Sequence, residues 1–238
     1  MRILDLDLDT FIYPVLHDRQ AGTRPTNEEV TAWTSGEVRT FLEDRCGIST
    51  QNPIQGKLFQ SHDEVLGAWR KDKLAGILSE KFEVVHIDAH PDLGLPDRDD
   101  PIRNWIAEKY QAGHLPTYES LQLEDPGLNL GNYLLCALAF NWISELTLVY
   151  PPAIDFCTFG IPLQFIFGVD GSGISNNIHL PGRPFETKVK IPYFADRTDF
   201  FNNEGRFDLA YVSLSPEYVS KEAEKKLLPV IREYISSI

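Results

Sequence analysis

The segment from His86 to Pro96, HIDAHPDLGLP, concentrates more chemistry than any other part of the chain. Asp88, His90 and Asp92 stand two apart, directly after the apolar run 82–87, which reads as a buried strand. At a strand end that spacing aims alternate side chains at one point. Two carboxylates and an imidazole gathered there repel one another and desolvate badly unless a divalent cation satisfies them all. Pro91 and Gly94 fix a turn that holds the group together instead of letting it spread.

A second acidic series opens the chain, where Asp5, Asp7 and Asp9 alternate with Leu4, Leu6 and Leu8. A period of two puts the leucines on one face of a strand and the carboxylates on the other. Aspartate is a poor strand former, and a water-facing strand normally mixes Thr, Lys and Glu, so repeated Asp calls for a counter-ion. If Asp7 and Asp9 join Asp88 and Asp92, four carboxylates balance two divalent cations. Asp5 with Asp7 is the alternative pair. Such a centre suits a guanidinium or ammonium substrate.

The elements that must position these residues follow from periodicity. Residues 27–45 have the spacing of a helix, with Asn27 as N-cap, a weak point at Gly36 and an end at Gly47. Ser61 and Glu64 have the form of a capping box for a helix starting near His62 and running to about Leu78. Residues 129–143 read as helix, 146–150 and 209–214 as strands, and 156–167 as an apolar stretch broken at Gly160 and Pro162. Ser215, Pro216 and Glu217 open a last helix to about Tyr234. The glycine-rich segment 168–184 is long for a loop and could act as a lid. Alternating strands and helices imply an α/β fold, a three-layer α-β-α arrangement with a mainly parallel sheet, whose site lies at the carboxyl ends of the strands.

Composition narrows the function classes. The 238 residues suffice for one α/β domain spanning 1–238. A formal net charge of −13 disfavours nucleic acid and anionic membrane as partners and draws in cations. Three cysteines without CxxC spacing suggest neither a disulfide framework nor a zinc finger, and a reducing, cytoplasmic setting is expected. The acidic start is unlike a secretory signal. The apolar run 133–150 carries Asn141 and Glu145 near its centre, which argues for a helix and a strand rather than a bilayer span.

At the level of motifs, Asp88-Ala-His90-Pro-Asp92 resembles the DAHxD signature of the arginase and agmatinase ureohydrolases, whose superfamily includes the metal-dependent deacetylases. Leu6-Asp7-Leu-Asp9-Thr-Phe11 is similar to that superfamily's second aspartate pair, and Ser61-His62-Asp-Glu-Val-Leu-Gly67 to its GGDHS segment. The aspartate pair precedes DAHxD here, whereas it follows it in metabolic arginases. The order, together with Gly131-Asn132-Tyr133, is similar to the peptide arginase family. That resemblance implies two Mn²⁺ per chain, one held by His62 and Asp92, the other by His90 and Asp9, with Asp88 and Asp7 bridging. A hard shell rich in oxygen with two imidazoles is compatible with manganese.

The resemblance also implies hydrolysis of an arginine guanidinium to ornithine and urea, with a proton relayed through Asp9 to the leaving amine. His86 shares a strand face with Asp88 and reads either as a group orienting a ligand or as an ordinary half-buried histidine. Asn132 matches the family position for substrate binding but also fits a helix surface. Glu217 could clamp a guanidinium, or simply be an acid in a helix's first turn. His17, His114 and His179 are further proton-shuttle candidates. Past DAHxD, residues 93–100 offer no cradle for the α-carboxylate of free arginine. The expected partner is therefore an arginine-containing precursor peptide. The competing readings are a zinc-dependent amide deacetylase using Asp88, His90 and one N-terminal Asp, and a non-catalytic binder of Arg-rich segments.

Overall fold

The computed structural model describes residues 1–17, 19–20, 22–94, 100–151, 203 and 205–237, together with the backbone of five short strands between 169 and 190. Seven strands form a sheet in which every pairing is parallel: β1 (Arg2–Asp7), β2 (Ile54–Phe59), β3 (Phe82–Ile87), β4 (Ile143–Val149), β5 (Lys188–Lys190), β6 (Leu209–Ser213) and β7 (Ile235–Ser237). Their spatial order is β5-β4-β3-β1-β6-β2-β7. From β1 the chain crosses to one side to make β2, then to the other side to make β3, β4 and β5. A crevice opens at that reversal, outside the carboxyl ends of β1 and β3.

Helices cover both faces, as a parallel sheet requires. On one face lie α2 (Glu64–Leu74), α3 (Pro101–Gln111), α4 (Tyr118–Glu124) and α5 (Tyr133–Ala139), whose apolar residues pack with Ile3, Val84, Leu146, Leu148, Leu209 and Tyr211. On the other lie α1 (Ser35–Thr40) and α6 (Lys221–Tyr234), packed with Leu4, Leu6, Val85, Ile87, Ala210 and Val212. The expected mainly parallel sheet flanked by helices is thus present. The pleat puts Ile3, Asp5 and Asp7 of β1 on the first face, and both faces of β1 are buried. Asp5 is paired in register with His86 on one side and Tyr211 on the other; Asp7 is in register with Ser213.

Several boundaries differ from the sequence expectation. The helix expected from Asn27 begins at Ser35, because Thr34 and Glu37 form the capping box, while Thr31–Ala32 pairs as a short strand. It passes into a π-helical turn, Phe41–Arg45, and Gly47 follows at φ +68°, the expected stop. The Ser61/Glu64 capping box does not form: Ser61 donates its hydroxyl to Asp63, and Glu64 reaches back to the Gln60 N–H at 3.2 Å. α2 ends at Leu74, with Gly76 at φ +72° ending it before Leu78. The last helix starts six residues after Ser215. Ser215 adopts φ +40°, unlike an N-cap, and Ser220 caps α6 instead by accepting from the Ala223 N–H. α5 is shorter than 129–143, because Asn141 turns left-handed at φ +60° and β4 starts at Ile143.

The stretch 156–167 lies outside the described residues, as does Cys157; of 168–184 only the backbone of two small antiparallel ladders is described. Cys46 and Cys136 are buried free thiols. Among the described residues no helix is long and apolar enough to cross a membrane.

Gly56 marks the closest approach inside the sheet. A Cβ there would stand 2.5 Å from the Ala210 carbonyl oxygen and 2.8 Å from Ile235 Cγ2. Gly56→Ala is therefore expected to cost about 1–3 kcal/mol through overpacking, read as a lower urea midpoint with an unchanged slope.

Candidate metal centre

At the carboxyl ends of β1 and β3, five aspartates and three histidines share one buried volume. Asp5, Asp7, Asp9, Asp88 and Asp92 are each at most 3% exposed, as are His62 and His86; His90 alone keeps substantial exposure, 14% at its side chain. So many carboxylates out of water would be prohibitive without charge compensation.

β1 ends at Asp7, and this corrects the expectation that one strand face carries all three N-terminal acids. Asp7 accepts the Asp9 N–H at 3.0 Å and so caps a 3-10 turn, Leu8–Phe11, which delivers Asp9 from a different direction. Asp9 lies with Oδ2 2.9 Å from His90 Nδ1 and accepts the Ala89 N–H at 3.3 Å. His90 donates from Nε2 to the Leu16 carbonyl at 2.8 Å, which leaves the Nδ1 lone pair of the neutral ring facing Asp9 and Asp88.

His62 arrives from the loop between β2 and α2. Its Nδ1 lies 3.1 Å from Asp7 Oδ2, 2.9 Å from Asp88 Oδ2 and 3.0 Å from Asp92 Oδ2. Neither His62 Nδ1 nor Asp92 Oδ2, both buried, makes a hydrogen bond of good geometry among the described residues. One ring nitrogen facing three carboxylate oxygens at these separations is poorly served by a single proton. It matches donors arranged around a cation, since ligands about 2.1 Å from an octahedral ion lie about 3 Å from one another. The donor set therefore fits a metal ion.

Four sets of donors lie close enough together to share an ion: Asp5, His62 and His86; Asp7, His62 and Asp88; His86, Asp88 and Asp92; and Asp9, Asp88 and His90. His86 is engaged at both nitrogens and His62 Nε2 by Asp5, so the two sets with a ring nitrogen left for an ion are Asp7, His62 and Asp88, with Asp92 close by, and Asp9, Asp88 and His90. Asp88 belongs to both. Asp7 stands in the first, where its Oδ2 lies near His62 and accepts the hydroxyl of Ser215. Asp92 reaches the cluster from a left-handed backbone, φ +48°, a conformation that costs an L-residue energy and persists where surroundings enforce it.

Asp5 sits deeper, bound to the other nitrogen of His62. His62 Nε2 is 3.1 Å from Asp5 Oδ1, while His86 Nδ1 and the Tyr133 hydroxyl lie 3.0 and 2.6 Å from Asp5 Oδ2. Of the two N-terminal pairs considered, Asp7 with Asp9 is the one beside the remaining donors. His86 has acceptors at both nitrogens, Asp5 and, at 3.2 Å, the His90 carbonyl. Only an imidazolium satisfies both. Burial opposes that charge, but the Asp5 hydrogen bond and the Asp88 charge outweigh it and raise the His86 pKa. His86 thus braces Asp5 and the His90 backbone, which places it as a positioning group behind the cluster and not at the reacting atoms.

Titration in this cluster follows from crowding. Burial and the Asp88 charge push Asp92 up to about 7, and burial with Asp7 and Asp88 raises Asp9 well above the carboxylate range. Burial also pushes Asp5 upward, but His62 and His86 overcome it and leave Asp5 at about 2. Asp88 is likewise held low against burial by the imidazoles of His62, His90 and His86 beside it.

Glu217 belongs to none of the donor groups, and Asn132 makes its hydrogen bonds to its own loop. Asn132 is buried with its amide spent on the preceding loop: Oδ1 accepts the Asn129 N–H at 2.8 Å and Nδ2 donates to the Gly127 carbonyl at 3.1 Å. That use holds the turn into α5 and points the amide towards the loop. Glu217 is in a turn before α6, half-buried, with Oε1 accepting the Gly22 N–H at 3.3 Å. The tyrosine next to Asn132 is what reaches the centre. Beside the exposed edge of His90 stand the rings of Tyr218, 4.5 Å away, and His17, 5.4 Å away.

Sequence reasoning raised Asp5 only as an alternative ligand paired with Asp7, and did not single out Tyr133 or Ser215 for roles at the centre. Asp5 shares the alternation of Asp7, and Tyr133 ends the Gly131-Asn132-Tyr133 segment, so both carried a signal; Ser215 carried none. Compared with known proteins, the chain matches no family model, no curated protein and no solved structure.

Proposed function

We propose that the chain is a manganese-dependent hydrolase of the arginase type, acting on arginine side chains within a precursor peptide. The observation that carries this reading is the pair of donor groups meeting at Asp88. His62, Asp92 and Asp7 would hold one Mn²⁺, and His90 with Asp9 the other, with Asp88 between them. Two such ions supply Lewis acidity and bring the pKa of a bound water towards neutrality.

The side chains then have separate tasks. His90, the partly exposed member, marks the side from which substrate enters, and the Tyr218 and His17 rings form the wall there. The bulk charge of −13 favours approach of a guanidinium. In the reaction water adds its oxygen to the guanidino carbon, the bond from that carbon to Nε breaks, and a proton passes to the leaving amine, giving ornithine and urea. Asp9, whose Oδ2 lies 2.9 Å from His90 Nδ1, would take the proton from the attacking water and pass it to the amine. A one-ion deacetylase would leave His62 and Asp92 without a task, although His62 Nδ1 stands 2.9 Å from Asp88 and 3.0 Å from Asp92.

The test is mass spectrometry of arginine-containing peptides incubated with the chain and Mn²⁺. Each converted arginine becomes lighter by one CH₂N₂ unit, with urea released in equal amount. Loss of acetyl groups with a single Zn²⁺ bound supports the deacetylase instead, and tight binding of Arg-rich peptides without urea supports the binder.

A further inference from the structure

We propose that Asp5, held by Tyr133, is a positioning residue that fixes the tautomer of His62 and thereby gives one of the two metal positions its affinity. The proposal rests on the metal-centre reading above and assigns a role to residues that supply no metal ligand in it.

The argument is the direction of the protons. Tyr133 is wholly buried at the start of α5, and its hydroxyl lies 2.6 Å from Asp5 Oδ2 and 2.9 Å from His62 Nε2. A hydroxyl has one proton to give. Donated to the carboxylate, it leaves the phenol oxygen as an acceptor towards His62. The Nε2–H of His62 then meets two acceptors, Asp5 Oδ1 at 3.1 Å and the Tyr133 oxygen. Its proton is committed to that side, and Nδ1 presents a lone pair to the donor group of Asp7, Asp88 and Asp92.

Without the Asp5 charge the opposite arrangement becomes favourable. Tyr133 would donate to Nε2, and the ring proton would move to Nδ1, where three carboxylate oxygens wait within 3.1 Å. A protonated Nδ1 cannot bind a cation. Asp5 blocks that competitor, and a carboxylate partner also raises the basicity of a ligating imidazole. The other position differs: His90 is oriented by a neutral acceptor, the Leu16 carbonyl. Loss of Asp5 should therefore weaken one ion and spare its neighbour, an asymmetry that general damage to the fold would not produce.

The experiment titrates the full chain with Mn²⁺, following free ion by electron paramagnetic resonance, in two single-ion backgrounds, His90→Ala and His62→Ala. In His90→Ala, adding Asp5→Asn is expected to weaken the remaining ion by about 10–100-fold, and Tyr133→Phe by less in the same direction. In His62→Ala both substitutions should leave the affinity unchanged. Tyr133→Phe keeps the ring against Trp69 and His62, so it guards against misfolding of the Asn variant. Nitrogen-15 spectra of the His62 ring should show Nε2 protonated in the metal-loaded parent and a shift towards the Nδ1-protonated form in Asp5→Asn. Unchanged affinity in the His90→Ala background, or an equal loss in both backgrounds, overturns the role of Asp5 alone. A parent chain that takes up no ion overturns the metal reading, and this proposal with it.

Discussion

Asp92→Asn is expected to make the metal-free protein more stable and, on the proposed function, to remove most of the activity with Mn²⁺. In the absence of a cation Asp92 is a fully buried carboxyl whose charged form is disfavoured by burial and by Asp88. An amide removes that repulsion, and its oxygen can still face His62 Nδ1, 3.0 Å from the present oxygen. Asparagine also tolerates the left-handed backbone at this position better than most residues. The gain should be about 1–2 kcal/mol near pH 8. A neutral amide is also a weaker ligand than a carboxylate for a hard divalent ion, so on the proposed function kcat/KM for peptide arginine should fall by more than about 10²-fold, at least roughly 3 kcal/mol. Chemical denaturation of the metal-free chain and a urea assay with Mn²⁺ read the two effects. A variant less stable than its parent, or one retaining full activity, contradicts the account of the site.

The second large effect is stabilisation by metal and its dependence on pH. An ion that binds only the native state stabilises it by about 2.7 kcal/mol at a hundredfold excess over Kd, so two positions give roughly 5 kcal/mol. For a chain of this size that amounts to a rise in Tm of roughly 10–20 °C, reversed by a chelator. The sign with pH differs between the two forms. Asp92 and Asp9 have folded-state pKa values above their unfolded ones, so each contributes stability while protonated and loses it as pH rises through the folded value, about 7 for Asp92. Metal-free protein should melt at lower temperature as pH passes upward through 7. Loaded protein should show the reverse below 7, because protons compete with the ions for the same oxygens and nitrogens. Melting curves with Mn²⁺ and with chelator across that range provide the measurement; parallel curves would count against the cluster as an ion site.

The readability of this chain varied with how local the determining interactions are. β3 and the turn after it were legible to the residue, because an apolar run followed by Asp88, His90 and Asp92 specifies both a strand and what it delivers. The start of α6 was misplaced because Ser215, Pro216 and Glu217 carry every local mark of a helix start. The Ser215 hydroxyl goes instead to Asp7, more than two hundred residues away, a partner no local pattern announces. Asp5 shows the same limit in depth. Alternation puts Asp5 and Asp7 on one face, yet they stand about 7 Å apart along the strand, and only the packing of α5 decides that the deeper one meets Tyr133. Asn132 was drawn towards substrate by its motif, but the loop before it needed its amide first.

The placement of β6 between β1 and β2 has a consequence for biogenesis. All six proposed ligands lie before residue 93, yet the strand that spaces the His62 loop from Asp7 is 209–213, more than a hundred residues later. Asp9, Asp88 and His90 directly follow neighbouring β1 and β3 and can meet early, during synthesis. His62 can take its seat only after residues 209–213 have been made, so its half of the proposed centre matures after the half around His90.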